Sequence, residues 1–137
     1  MFKLKLSQAA AAIYSATRLA QPNRLIVGTN VAAYIKMING FNAAPSGDEV
    51  GPYKLGDLDQ FGVYVDPNYD INTWVMSCHS SGDVRRNSSL FGSYMPIGST
   101  DPVGLADASV QQGHATMCAF EIVNPATLVS GKILGTF

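Results

Sequence analysis

The sequence predicts an α+β fold, on three observations. Apolar residues alternate with polar or small ones at Phe61, Val63 and Val65, and again at Trp74, Met76 and Cys78. Period two is the pattern of strands with one buried face. Val31, Tyr34, Ile35 and Ile38 instead fall at i, i+3, i+4 and i+7, the stripe of an amphipathic helix. A helix–strand–helix opening then gives way to a run of strand candidates, the order of an α+β protein.

Taken in order, Ser7 is placed to cap a helix running to about Leu19, with Leu6, Ala10, Ile13 and Thr17 as its stripe and the alanines as its propensity. Gln21-Pro22-Asn23 ends it. Arg24-Leu25-Ile26-Val27-Gly28 is a short apolar run between turn residues and reads as a buried strand. Thr29 or Asn30 then caps the second helix, and Gly40 suits its C-cap. Residues 41–52 are rich in Gly, Ala, Pro, Ser and acids and read as an exposed loop. Tyr53-Lys54-Leu55 is a short strand candidate, turned by Gly56-Asp57 towards the strand at Phe61. Asp66-Pro67-Asn68 stops that strand, because proline cannot donate to a ladder and Asp and Asn bond to turn backbone. The strands at Phe61 and Thr73 are expected to pair across this turn.

Residues 80–89 are polar and read as a loop tip. Residues 89–97 are aromatic and apolar, with Pro96 marking an edge or exit. Residues 98–113 look irregular. Residues 114–123 form the longest strand candidate, apolar on both faces and so expected to be buried on both. Asn124-Pro125 stops it, and Lys132-Ile133-Leu134 is a short tail strand.

The 137 residues are enough for one domain, or a piece of one, and 47% of them are hydrophobic. Only 14% are charged, against roughly 25% in soluble domains. So few charges suit a surface covered by neighbours. The net charge of −1 argues against a nucleic-acid grip, which needs a basic stripe. The apolar runs are too short to cross a bilayer. Two lysines before an alanine run faintly imitate a secretory signal, without a convincing cleavage site. Cys78 and Cys118 both fall in strand candidates and read as buried reduced thiols, which suits folding in a cytosol.

Chemistry is sparse. Cys78 and His79 are adjacent, and neighbours on a strand point to opposite faces, so they do not form a nucleophile–base pair. His114 joins Cys78 only if the fold brings it there. Cys78-His79 and His114-x-x-x-Cys118 lack zinc-finger spacing. The acids Asp48, Glu49, Asp57, Asp59, Asp66 and Asp70 fall in loops and turns, where capping explains them. There is no phosphate-binding loop and no nucleophile elbow. Asp83 with Arg85-Arg86 reads either as a solvated tip or as an ion-pairing contact with a neighbouring copy. No cofactor or metal is expected.

Four places carry a family resemblance. Ala16-Thr17-Arg18 leads to Asn23-Arg24-Leu25-Ile26-Val27 and a helix from Val31. Val63-Tyr64-Val65-Asp66-Pro67-Asn68-Tyr69 is a strand and turn. Gly92-Ser93-Tyr94-Met95-Pro96-Ile97 follows, and last comes the strand that ends in Val123-Asn124-Pro125. In this order they resemble the C-terminal part of the major head protein of tailed bacteriophages of the T-even-like group. Cys78-His79-Ser80-Ser81-Gly82 stands where that group has a Gly-Tyr-Lys-Gly turn, and Leu19 and Ala20 replace an arginine and a glycine.

The resemblance implies the Hong Kong-type capsid fold: an axial-domain-like unit over 1–112, and over 113–137 a returning strand and tail of the peripheral domain, or one compact domain. It implies that the N-terminal arm, extended loop and spine helix are absent, and that the protein is a non-enzymatic subunit of the virion shell, assembled in the host cytoplasm. Its partners would be copies of itself in hexamers or pentamers, or the rest of a capsid subunit, with no specific nucleic-acid binding and no membrane. The candidate contact residues are Asp48, Glu49, Asp83, Arg85 and Arg86, in the loops 41–52 and 80–89. Three alternatives stay open. One is a reduced homologue that modulates assembly of a longer partner. Another is a small cytosolic enzyme using Cys78, His79 and His114. The third is a host binding module with an open sheet edge.

Overall fold

The computed structural model describes residues 1–45, 52–80, 82–104 and 109–134, with the backbone alone at 94–97. In chain order the elements are α1 (Phe2–Thr17), β1 (Arg24–Val27), α2 (Thr29–Lys36), β2 (Phe41–Ala43), β3 (Tyr53–Leu58) and β4 (Phe61–Val65). There follow β5 (Thr73–Ser77), β6 (Ser89–Ser99), β7 (Val103–Gly104), β8 (Val110–Gln111), β9 (His114–Ile122) and β10 (Val129–Lys132), with 3-10 turns at Val84–Arg86 and Pro125–Thr127. Two compact units result: Met1–Ser88 with Val123–Phe137, and Ser89–Ile122.

The first unit is built on a six-stranded sheet in the order β10-β5-β1-β4-β3-β2. β1 runs parallel to β4, and every other pairing is antiparallel. The register sets Leu25 beside Val63 and Met76, and Val27 beside Val65 and Trp74. These residues share one face, and all are buried. α1 contributes Leu6, Ala10 and Ile13 to the same core, and α2 contributes Val31, Ala32 and Ile35. Leu25, Val63, Met76 and Ile35 are 0% exposed; side chains of this kind each contribute about 1.5–3 kcal/mol on burial.

The expected pairing of the Phe61 and Thr73 strands is corrected. β4 and β5 are not neighbours, because β1 lies between them. A short apolar strand gains most at the centre of a sheet, where both its edges are satisfied and its buried face meets two partners. The 66–72 connection is long enough to step over it, and its first amide donates to Val27 (3.1 Å, from Asp66).

Element ends also moved. α1 begins at Phe2, not Ser7, without a side-chain cap. Phe2 is held instead by edge-on contacts with Tyr34 and Trp74, at 5.7 and 6.4 Å between ring centroids. The helix stops at Arg18, which takes φ 54 and donates its amide to the Tyr14 carbonyl, before the proline can act. Gly28, rather than Thr29 or Asn30, is the N-cap of α2. A Cβ there would lie 2.2 Å from the Asp70 carbonyl oxygen, so the 70–71 backbone excludes any side chain. The C-cap is Met37, and Gly40 takes its φ of 91 in the next turn.

Residues 41–43, expected in a loop, form the edge strand β2 against β3. β3 runs on through Gly56, where the register shifts, and its turn comes at Asp59, with φ 53. β10 sits three residues earlier than expected. Gly131 in it lies flat on Trp74, so close that a Cβ would come within 2.5 Å of the ring.

The second unit is a ribbon. β6 and β9 pair antiparallel from Ser89 opposite Ile122 to Ser99 opposite His114, with register shifts around Met95 and across Pro96. β7 and β8 form a short ladder of their own within the stretch expected to be irregular. All nine residues of β9 are exposed, which overturns the expectation of burial on both faces. Phe91 and Phe120 are cross-strand partners, 66% and 69% exposed. Alternation and apolarity specify a strand, but two strands alone supply no layer to pack against. Cys118 is exposed with them, so the expectation of a buried thiol holds only for Cys78.

Candidate interaction surface

Beyond the end of β5 the chain leaves the sheet ladder but stays fixed. Asn23 acts as a surrogate strand: its Oδ1 accepts the His79 amide at 2.9 Å, and its Nδ2 donates to the His79 carbonyl at 2.7 Å. The Ser80 amide donates to Asn87 Oδ1. The Cys78 amide donates to Ser88 Oγ at 2.9 Å, and the Ser88 amide returns a bond to the Cys78 carbonyl at 3.1 Å. Ser88 Oγ in turn donates to the Thr127 carbonyl, and the two hydroxyls lie 2.8 Å apart. Asn87, Ser88 and Thr127 are buried, and buried polar groups persist only when paired in this way. Residues 78–80 are therefore a rigid rim.

The tip that follows is organised by Asp83. Its carboxylate accepts the Arg85 amide at 3.0 Å, capping the turn Val84–Arg86, and pairs with the guanidinium groups of Arg85 (3.3 Å) and Arg86 (3.6 Å). The Arg85 backbone N–H, followed by its side chain, holds the Asp83 carboxyl below the usual range. One carboxylate serves two guanidiniums, which leaves a positive surplus at the tip. Three of the residues singled out from sequence, Asp83, Arg85 and Arg86, thus form one cluster. Asp48 and Glu49 lie outside the described residues.

The thiol and imidazoles do not assemble. Cys78 is buried, and burial pushes its thiol up, away from the thiolate a nucleophile needs. His79 is exposed, and His114 belongs to the ribbon, opposite Ser99. Among the described residues no three His, Cys, Asp or Glu side chains are grouped to hold a metal. No helix among them is long and apolar enough to cross a membrane.

What the rim does border is a hollow of about 300 Å³, lined by Tyr14, Gln21, Cys78, His79, Ser80 and Arg86 among others. Sequence reading found Arg86 but missed Tyr14 and Gln21, and missed the supporting Asn23, Asn87, Ser88 and Thr127. Asn23 and Asn87 looked like ordinary turn residues. Nothing local signals that their partners lie 56 and 7 residues away.

A mixed sheet covered by two helices, an exposed apolar ribbon and a charged tip define an α+β protein with much apolar side-chain surface exposed. The family comparison gives that class its particular member. A family model described as major capsid protein Gp23 matches residues 1–131. The chain belongs to that family, which gives it a structural role in the bacteriophage head and a place in the virion capsid, assembled with other capsid subunits. No curated protein matches the chain.

Proposed function

We propose that the chain is a self-assembling shell subunit, built as the axial part of a Hong Kong-type capsid fold and packed around local five- or six-fold axes. The family match over residues 1–131 carries this reading. The low charge content, 14%, and the exposed Phe91, Met117, Phe120 and Ile122 of the ribbon support it, since lateral shell contacts need broad, weakly charged faces. In this proposal the loops 41–52 and 80–89 approach the axis, with Asp48, Glu49, Asp83, Arg85 and Arg86 as contacts.

The division at 112/113 belongs to the same proposal. The pairing of β10 with β5 ties the tail into the sheet of the first unit. Shell building needs no cofactor and no catalysis, and the raised Cys78 thiol supports a non-enzymatic role. Electron microscopy of the purified chain, alone and mixed with capsid proteins of the same family, tests the reading. Rings, shells or incorporation into heads are expected. A persistent monomer that enters no particle would remove the proposal.

A further inference from the structure

We infer that the sheet face turned away from the helices is a docking surface, and that the ribbon of a second copy fills it. This inference rests on the shell-subunit reading and names a contact it would use. α1 and α2 close the core on the face of Leu25, Val63 and Met76. The strand residues between these belong to the other face. There Ile26 stands beside Tyr64 and Val75, and Arg24 beside Gly62 and Ser77. All six are half-buried, and Ile26, Tyr64 and Val75 stand outside the core that the helices close. Arg24, Ile26 and Tyr64 border a hollow of about 200 Å³. An aliphatic and aromatic sheet centre of this kind suits a second sheet layer.

Charge names the occupant. Residues 89–122 contain the acids Asp101, Asp107 and Glu121 and no lysine or arginine, so all nine basic residues lie outside the ribbon. On the open sheet face Lys54 and Lys132 already hold Asp57 and Asp70. Arg24 instead lies over the Tyr64 ring, 5.4 Å from its centroid, and has no carboxylate partner among the described residues. On the ribbon, pairing is regular from Ser89 opposite Ile122 to Ser93 opposite Cys118. Leu90, Gly92, Ala119 and Glu121 therefore share one face. A carboxylate set among apolar and small residues meets a guanidinium set among apolar ones, which matches both charge and polarity. Ribbon against ribbon would set acid against acid. Within one copy all nine residues of β9 stay exposed, so the ribbon that covers the sheet comes from another. Ribbon on sheet is a head-to-tail contact, the kind that closes into rings.

Sedimentation of the full chain with charge-reversed variants tests this. Arg24→Glu alone and Glu121→Arg alone should each weaken self-association by about ten-fold or more. Both changes in one chain should restore it, because the pair re-forms with its signs exchanged. Unchanged association in either single variant, or no recovery in the combination, overturns the contact while leaving shell assembly by the wild type intact. A wild-type chain that does not associate at all overturns the contact and the shell-subunit reading together. Should Arg24→Glu lose its native Trp74 fluorescence, Glu121→Gln decides. Residue 121 is exposed on the ribbon, so the sheet is left untouched. Weakened association then supports the contact, and full-strength association would refute it.

Discussion

The sheet unit and the ribbon are written in the same alphabet and end in opposite environments. β4 reads Phe-Gly-Val-Tyr-Val, and its Phe61, Val63 and Val65 are 5%, 0% and 2% exposed. β9 carries six apolar residues among its nine, yet every residue of it is exposed. What separates them is the third dimension. β4 has two helices over one face and strands on both edges, whereas among the described residues β9 has one partner strand and no covering layer. Period-two apolarity therefore reports that a face is meant to be covered. It does not report whether the same chain does the covering.

The contrast can be broken most forcefully in the core. Met76→Ala removes a side chain 0% exposed between Leu25 and Val129. It should cost about 2–5 kcal/mol in urea unfolding followed by Trp74, the chain's one tryptophan. Phe120→Ala, at 69% exposure, should change the same transition by less than about 0.5 kcal/mol. A large loss at Phe120 in the free chain would mean that the ribbon is packed after all. Next in size comes the polar joint. Ser88→Ala leaves the Cys78 amide and Thr127 without their buried partner and should cost about 1–3 kcal/mol. Neutrality there would show that the joint is not structural.

The thiols divide the same way. Iodoacetamide under native conditions should label Cys118 first and leave Cys78 almost unmodified, since one is exposed and the other buried with a raised pKa. The smallest effect is at the tip. The Asp83 carboxyl titrates below its ordinary value because it accepts the Arg85 amide and faces both guanidiniums. Its contribution to the turn is complete above the unfolded carboxyl pKa and is lost as pH falls through the lower folded value. The chemical shift of the Arg85 amide across an acid titration should follow that loss and show no step near neutrality.

Much of the sheet unit was legible in the sequence. Leu6, Ala10 and Ile13, then Val31 and Ile35, then the alternating strand residues all took their expected faces, because each signal is local and periodic. Strand order was not legible. The insertion of β1 between β4 and β5 depends on which edges compete for partners, a property of the assembled sheet. The candidate surface was half legible. Asp83, Arg85 and Arg86 are three near neighbours in sequence and form a cluster by themselves. The hollow beside them needs Tyr14, Gln21 and the long-range clamp of Asn23, and no spacing rule announces these.

The central claim is that surfaces this chain leaves open are completed by other subunits of the shell. Iodoacetamide labelling of Cys118, compared between the free chain and purified particles containing it, tests that claim most directly. Fast labelling in the free chain and strong protection in particles are predicted, with Cys78 slow in both. Equal labelling of Cys118 in the two states would contradict it.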